Sequence, residues 1–205
     1  MSMLQFSDEE LEQYLEVSAP TDRVAFAAAC TERLFPGYGL YFDMVDCDPD
    51  MAARRALDLV WESLPSKQQD TSIIDQYIEI LDDLNQDETD EYLHQGAIAE
   101  NALFAMAYTL ECLKMGGSIQ EAVWVANCAY ETLHNYLLNQ SDSSSITDVL
   151  LQEINDNDLI QTELKRQQRD LEELKNRAVS IDDLRKRSVL ESETFLPWHD
   201  IMEEY

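Results

Sequence analysis

Carboxylates are the residues of this 205-residue chain whose type and spacing could do chemistry, because many of them fall into two short runs. Carboxylate clusters can hold a hard cation such as Ca²⁺, or they can accept charge-assisted hydrogen bonds from arginine and lysine side chains. The acids of the first run are Asp43, Asp46, Asp48 and Asp50. The acids of the second run are Asp82, Asp83, Asp87, Glu88, Asp90 and Glu91.

The first run does not match a calcium-binding EF-hand loop. That loop needs a glycine at its sixth position and a glutamate at its twelfth. Counting from Asp46 puts Met51 and Leu57 at those two positions, and neither side chain can serve. The alternative explanation is structural, since Asp48 and Asp50 suit the start of a helix, where they cap it and complement its dipole.

The second run fails the same test, because counting from Asp83 puts Glu88 and His94 at the glycine and glutamate positions. Six acids within residues 82–91 would instead form a face for an arginine-rich or lysine-rich protein. A solvated turn followed by an acidic helix start explains the same residues without any partner. Both interpretations stay open.

Patterns typical of catalysis are weak in this sequence. The three histidines, His94, His134 and His199, are scattered, and no Ser–His–Asp or Cys–His set can be assembled from their order. Glu131 and His134 have the spacing found in di-iron helical bundles, but the preceding helix supplies no second pair of this kind. We therefore predict no enzyme activity, no cofactor and no metal, with a carboxylate-bound metal enzyme as an alternative.

The overall charge narrows the class of partner. The chain has 42 acidic and 14 basic residues and a formal net charge of −28. Such a surface disfavours nucleic acid and anionic membranes, because binding phosphate requires arginine and lysine, and it attracts basic proteins. Acidity that only keeps the protein in solution is the competing explanation. The chain has two basic clusters, Arg54-Arg55 and 185–187, and the second is expected to pair with carboxylates of its own or a sister subunit instead of with phosphate.

The elements that must position these residues are predicted to be helices throughout. The chain has 45% hydrophobic residues but only 5 Gly and 5 Pro, too few for the many turns of an all-β domain. We predict an all-α fold, a single domain over 1–205, and a bundle of about eight to ten helices. A first helix over 7–17 and a tail over 190–205 are expected to be peripheral. Capping boxes that indicate helix starts are Ser7 with Glu10, Ser118 with Glu121 and Ser180 with Asp183.

Helix boundaries follow from proline and glycine. A helix from Thr21, rich in alanine, is predicted to end at Pro36 and Gly37, with a short aromatic helical stretch after it. At the centre we predict an antiparallel hairpin of two helices, over about 89–115 and 118–139, that are apolar on more than one face.

The last third of the chain is predicted to contain one long helix, over about 158–178. Its apolar heptads include Gln167 and are too few for an independent coiled coil, so we expect the helix to pack on its own bundle. Trp61 is expected in the core, whereas Trp198 follows Pro197 on the tail and could dock on a second chain. We also expect a homodimer.

Cysteine usage and the chain start indicate a cytoplasmic protein. Three of the cysteines fall in apolar helical stretches and none forms a C-x-x-C motif, which suits reduced core thiols. The first ten residues have neither a basic region nor a sustained apolar run, and no apolar run is long enough to span a bilayer. The four cysteines are Cys30, Cys47, Cys112 and Cys128.

Three segments resemble a known family. Residues 24–38 read V-A-F-A-A-A-C-T-E-R-L-F-P-G-Y, residues 54–64 read R-R-A-L-D-L-V-W-E-S-L, and a weaker likeness covers 159–168. They resemble the YjaG-like bacterial family of unknown function (domain of unknown function 416) over about 20–175. The resemblance implies an all-helical cytoplasmic protein and supplies no catalytic residue.

From the residues themselves we predict a non-catalytic acidic protein that binds a basic partner. Its most specific form is an immunity or inhibitor protein that neutralises a basic bacterial toxin, such as a nuclease effector of a secretion system. The main alternative is a cytoplasmic housekeeping protein without a toxin partner.

Overall fold

The structure is a computed structural model that describes residues 3–45, 50–66, 71–85, 93–141 and 145–203. Regular secondary structure in these ranges is wholly helical, which confirms the all-α bundle. The helices are α1 (Asp8–Glu16), α2 (Pro20–Val45), α3 (Asp50–Ser66), α4 (Thr71–Asn85), α5 (Leu93–Lys114), α6 (Ile119–Gln140), α7 (Asp148–Asn155), α8 (Asp158–Lys175), α9 (Ile181–Ser192) and α10 (Trp198–Glu203).

Helix α2 lies at the centre of the bundle and packs against α3, α5, α6, α8 and α9. The side chains of Ala25, Ala27, Ala28 and Ala29 have no exposed surface. Because alanine projects little beyond the helix backbone, neighbouring helices can approach α2 on several sides, as the alanine-rich sequence predicts.

The predicted central hairpin is confirmed, since α5 and α6 pack along each other and join through two glycines. Gly116 and Gly117 have φ values of 69° and 90°, in the left-handed region that favours glycine. The Gly117 N–H donates to the carbonyl of Cys112 at 2.8 Å, and that of Gly116 donates to Leu113 at 2.9 Å. A Cβ on Gly117 would lie 2.3 Å from the carbonyl oxygen of Pro20, so this turn also packs tightly against the start of α2.

Two of the three predicted capping boxes have the expected bond. The Ser7 hydroxyl accepts from the Glu10 N–H at 3.3 Å, and the Ser180 hydroxyl accepts from the Asp183 N–H at 3.1 Å. Ser118 does precede α6, but its side chain makes no capping hydrogen bond, so the prediction is wrong in that detail.

The predicted end of the second helix at Pro36 is wrong, because α2 continues through Pro36 to Val45. Proline inside a helix removes one backbone hydrogen bond and costs about 3 kcal/mol. Tertiary packing offsets this cost: Leu34 and Tyr38 on either side are buried. Gly37 also lets α5 approach closely, since a Cβ there would lie 3.0 Å from the Ile98 Cγ2.

The C-terminal segment folds back onto the bundle through aromatic packing. Trp198 is 8% exposed, and its indole N–H donates to the Ser192 carbonyl at 2.7 Å. Its ring stacks on Phe195 with the centroids 6.2 Å apart, and α10 contacts α2. The expectation that Trp198 is free to dock on a second chain is therefore wrong, because its own bundle covers the ring.

Candidate functional site

Both acidic runs predicted to bind a partner join consecutive helices. Asp43 lies in the last turn of α2 and Asp50 begins α3, while Asp82 and Asp83 lie in the last turn of α4. The other predicted residues lie outside the described part of the chain, namely Asp46, Asp48, Asp87, Glu88, Asp90 and Glu91. The partner-binding role of both runs therefore stays a prediction.

The helix bounds bear on the two explanations offered for these acids. Asp50 begins α3, where a carboxylate complements the helix dipole. Asp43, Asp82 and Asp83 lie at helix ends that carry partial negative charge and have no basic residue in the last turn. The position of Asp50 thus fits the structural explanation, and both explanations stay open for the other acids.

The bundle encloses an ionic network that the sequence patterns do not reveal. Arg33 of α2 has no exposed side-chain surface. Its Nε lies 2.9 Å from the Glu163 Oε2, and its Nη1 donates to the Asp170 Oδ2 at 2.8 Å. Its Nη2 donates to the Glu163 Oε1 at 3.0 Å and to the Cys30 Sγ at 3.3 Å. Glu163 and Asp170 are as deeply buried as Arg33, and both belong to α8.

Arginines from α8 and α9 complete this network from outside. Asp170 Oδ1 accepts from Arg169 at 2.8 Å and from Arg187 at 2.9 Å. Glu191 of α9 pairs with Arg169 at 2.8 Å and approaches Arg33 to 3.5 Å. Arginines and carboxylates therefore alternate from the centre of the bundle to its surface, and each buried charge faces its opposite.

This pairing keeps Arg33 protonated inside the protein. Burial by itself would lower the pKa of Arg33, but Glu163 and Asp170 raise it well above its usual value. Perturbed ionisation of this kind is common at functional sites, and it also occurs in structural ion-pair networks. Since Arg33 has no solvent access, no ligand can reach it, and we interpret the network as a clamp joining α2, α8 and α9.

A second network joins α2, α3 and α9 through the residue before Arg33. The carboxylate of Glu32 accepts both Nη groups of Arg54, at 2.7 and 2.8 Å, and the indole N–H of Trp61 at 2.9 Å. Arg54 also donates to Asp58 at 3.0 Å, and Asp58 accepts from Arg185. The prediction that the second basic cluster, 185–187, pairs with carboxylates of its own chain is confirmed for Arg185 and for Arg187, which binds Asp170 and Glu173.

Sequence reasoning missed the Arg33 network because its members are distant in the chain. Glu163 and Asp170 are seven residues apart on α8, so they share one face beside the predicted heptad seam. Two acids at that spacing next to an apolar seam are the signal that could have indicated a buried cation. The partner itself gives no signal, since Arg33 lies 130 residues before Glu163.

Cations elsewhere are also held within the molecule. Arg23 donates to the carbonyl oxygens of Leu15, Glu16 and Gly117 at 2.8–3.2 Å. Further pairs are Arg177 with Asp22 at 2.5 Å, Lys114 with Asp75 at 2.9 Å and with Glu111 at 3.5 Å, and Lys175 over the Tyr14 ring at 5.3 Å. Internal contacts thus engage much of the chain's small set of positive charges.

Exposed acids are spread over several helices, by contrast. Those of α1, α7, α8 and α9 that lie in first turns are explained by helix dipoles. The exposed acids without that explanation include Glu16, Glu62, Glu79, Glu100, Glu153, Glu172 and Glu193. The protein therefore exposes many acids on its surface, while most of its arginines are paired with carboxylates of the same chain.

The described part of the chain contains no group of three His, Cys, Asp or Glu side chains that could hold a metal ion. The Glu131 and His134 pair considered for a metal lies on α6, where the His134 ring packs against Tyr130 with the centroids 5.7 Å apart. Among the helices that the structure describes, none is long and apolar enough to cross a membrane.

Reduced core thiols are confirmed for three of the four cysteines. Cys30, Cys112 and Cys128 are free and buried, and Cys47 lies outside the described residues. Burial raises the pKa of Cys112 and of Cys128 to about 12 and also raises that of Cys30. These thiols are therefore unreactive core residues at neutral pH.

Comparison with known proteins gives a family and a fold. A family model described as "Protein of unknown function (DUF416)" matches residues 10–194. The crystal structure of a DUF416 family protein from Shewanella baltica is similar, with a TM-score of 0.74 and 20% sequence identity over 88% of this chain and 93% of that one. No curated protein matches the chain. The sequence resemblance is confirmed, and the match extends beyond the predicted 20–175.

Proposed function

The chain belongs to the DUF416 family of proteins of unknown function, and we propose from its charge arrangement that it is a non-catalytic protein that binds a basic protein partner. The observation that carries this proposal is the unequal placement of the two charge signs. Most arginines turn inward, as Arg33 does, or bind carboxylates at the surface, as Arg54 and Arg185 do, whereas Arg55 is exposed. Acids such as Glu62, Glu79 and Glu153 remain exposed.

This placement matters because an exposed cation would weaken the negative potential outside the protein. The formal charge of −28 is already extreme for 205 residues. Internal pairing withdraws many of the positive charges that could interrupt the acidic exterior, while Arg55, Lys165 and Lys186 stay exposed. A cationic protein surface would be steered toward such a potential, and the association rate would fall as salt screens it.

The specific form that we propose is an immunity or inhibitor protein in the cytoplasm. It would cover the cationic cleft of a basic bacterial toxin, such as a nuclease effector of a secretion system. Nucleases must carry positive charge to bind phosphate, so an acidic protein can occupy the same cleft and exclude the nucleic acid. The acids at 82–91 and 43–50 are the contacts that we propose for this complex.

Affinity capture from the native cell followed by reconstitution with the purified partner tests this function. We expect a captured chain with net positive charge, an affinity that falls at least tenfold between about 50 and 200 mM salt, and inhibition of the partner's activity. A captured chain that is neutral or acidic, or binding that does not respond to salt, would contradict the proposal. A basic partner whose activity continues in the complex would contradict the inhibitor role alone.

A further inference from the structure

The three tryptophans of the protein differ in their surroundings. Trp61 and Trp198 are 3% and 8% exposed, and the indole N–H of each donates a hydrogen bond, to Glu32 and to Ser192. Trp124 of α6 is 42% exposed, and its indole N–H has no hydrogen-bond partner among the residues that the structure describes. A large amphipathic ring left in solvent is the type of side chain that dominates binding energy at protein interfaces.

Trp124 belongs to a row of rings along the outer face of the central hairpin. Its ring packs on Tyr108 with the centroids 5.1 Å apart, and Tyr108 stacks on Phe104 with the centroids 6.2 Å apart. Tyr108 and Phe104 are one helical turn apart on α5 and are only half-buried. We call the rings of Phe104, Tyr108 and Trp124 the aromatic ladder. It is already ordered by ring contacts, so binding on it costs little side-chain entropy.

Carboxylates lie at both ends of the aromatic ladder. Glu100 precedes Phe104 by four residues and Glu111 follows Tyr108 by three, which places them next to those rings on α5. Glu131 lies on the Trp124 face of α6, two turns further along. The one lysine or arginine of these two helices is Lys114, and it is paired with Asp75 and Glu111.

We propose that the aromatic ladder is the docking site for an arginine-bearing segment of a cationic protein partner. A guanidinium group stacks flat on indole and phenol rings and is attracted to their negative faces. The same group can donate paired hydrogen bonds to a neighbouring carboxylate, which lysine cannot do with this geometry. The rings meet the first requirement, and Glu100 and Glu131, which lie on the same two helices, offer carboxylates to further arginines of the segment.

This inference rests on the proposed function and adds to the acidic runs a further contact surface that prefers arginine. A second copy of this chain does not suit the aromatic ladder. It would bring its own Glu100, Glu111 and Glu131 against the same residues, and each chain carries a net charge of −28. A cationic segment relieves that repulsion instead of adding to it.

Titration of the whole protein with nona-arginine and nona-lysine peptides by calorimetry tests the inference. We expect nona-arginine to bind more tightly than nona-lysine at low salt. Trp124→Ala should weaken nona-arginine binding about three- to tenfold, and Trp124→Phe should weaken it less, because phenylalanine keeps a π face. The buried Trp61 and Trp198 are shielded from acrylamide, so the peptide should protect the wild-type fluorescence from this quencher through Trp124.

Two charge variants provide a matched control. Glu131→Gln and Glu153→Gln each remove one carboxylate, but Glu153 lies on α7, outside the central hairpin. We expect only Glu131→Gln to weaken nona-arginine binding beyond the general charge effect. Equal binding by wild type, Trp124→Ala and Glu131→Gln would overturn the aromatic ladder as the site and leave the proposed function standing. Failure of both peptides to bind wild type at low salt would overturn the two proposals together.

Discussion

Arg33 of α2 and Asp170 of α8 bind each other inside the bundle with 2.8 Å between Nη1 and Oδ2, and neither side chain has any exposed surface. The pair lies within a network in which Glu163 accepts from Arg33, and Arg169 and Arg187 donate to the other carboxylate oxygen of Asp170. A buried ion pair contributes little net stability compared with apolar residues of the same size, because both charges must leave water. Replacing only one partner of the pair by an uncharged residue lowers stability strongly, because the other charge then stays buried without a counter-charge.

Replacing Arg33 by methionine should therefore destabilise the protein by about 3–5 kcal/mol, because Glu163 and Asp170 lose their shared partner. Urea denaturation followed by circular dichroism measures this loss. Arg55→Met is the matched control, because Arg55 is exposed on α3 and its replacement should change stability by less than about 0.5 kcal/mol. A loss for Arg33→Met no larger than that of the control would contradict the role of the clamp.

Glycine-to-alanine variants should raise the stability of the folded protein at one position and lower it at two others. Gly39 lies within α2 with no atom within 4 Å of an added Cβ, so Gly39→Ala should stabilise the protein by about 0.5–1 kcal/mol. In Gly116→Ala the added Cβ would have no atom within 4 Å, but alanine would have to adopt a left-handed φ. This strain should destabilise the protein by about 1 kcal/mol. Gly117→Ala adds a clash with the Pro20 backbone and should cost the most. Thermal unfolding of the three variants ranks them, and a harmless Gly117→Ala would refute the close packing of the hairpin turn.

Alkaline pH should destabilise the protein through its buried thiols. The pKa of Cys112 and of Cys128 is raised to about 12 by burial, against about 9 for an unburied thiol. The folded protein therefore holds these protons more tightly than the unfolded chain does. The stability contribution is complete below pH 9 and is lost as pH rises toward 12. At pH 10.5 the loss is about 2 kcal/mol per thiol.

Denaturant midpoints at pH 7, 9 and 10.5 measure this loss. Cys128→Ala lowers stability at every pH because of the cavity it leaves, so the comparison is the slope with pH. We expect a shallower alkaline slope in that variant than in wild type. Identical slopes would show that Cys128 does not titrate differently in the folded and unfolded states.

Charge reversal of the second acidic run should abolish partner capture without unfolding the bundle. The variant changes Asp82, Asp83, Asp87 and Glu88 to lysine, and the helical circular dichroism should be preserved. Loss of binding is expected because the proposed cationic partner would then meet like charge. The matched control reverses four exposed acids elsewhere, namely Glu62, Glu79, Glu153 and Glu193.

The control carries the same change in net charge, so it separates a local contact from a general potential. If both variants lose the partner equally, the overall charge governs binding and residues 82–91 are not the interface. Capture that is unchanged in the first variant would exclude those residues outright.

Local signals in the sequence were enough to predict the helical fold. Gly116 and Gly117 identified the hairpin because two left-handed residues can only end a helix, and Ser7 identified the first helix through a bond three residues away. Pro36 led to a wrong helix end. The free-energy cost of a proline inside a helix is outweighed by the burial of Leu34 and Tyr38, and only the folded bundle provides that burial.

The candidate sites were less predictable, because they depend on contacts across the whole chain. The sequence identified three tryptophans but not which of them is exposed. Trp124 lies on a helix that is apolar on more than one face, so periodicity could not indicate its outward side. Trp198 follows a proline near the end of the chain, yet it is buried because Phe195 and α2 receive it.

The burial of Arg33 also constrains how the protein can be made. Its partners Glu163 and Asp170 leave the ribosome 130 and 137 residues after it. At a synthesis rate of about 5–20 residues per second, roughly 7–27 s pass before the Arg33 guanidinium can bind these carboxylates and leave water. The ion pairs of Arg33 therefore form only after most of the chain has been synthesised, whereas α5 and α6, which also pack against α2, are synthesised before them. Chains truncated before residue 163 lack both of these counter-charges, so the Arg33 guanidinium has no carboxylate of α8 to bind.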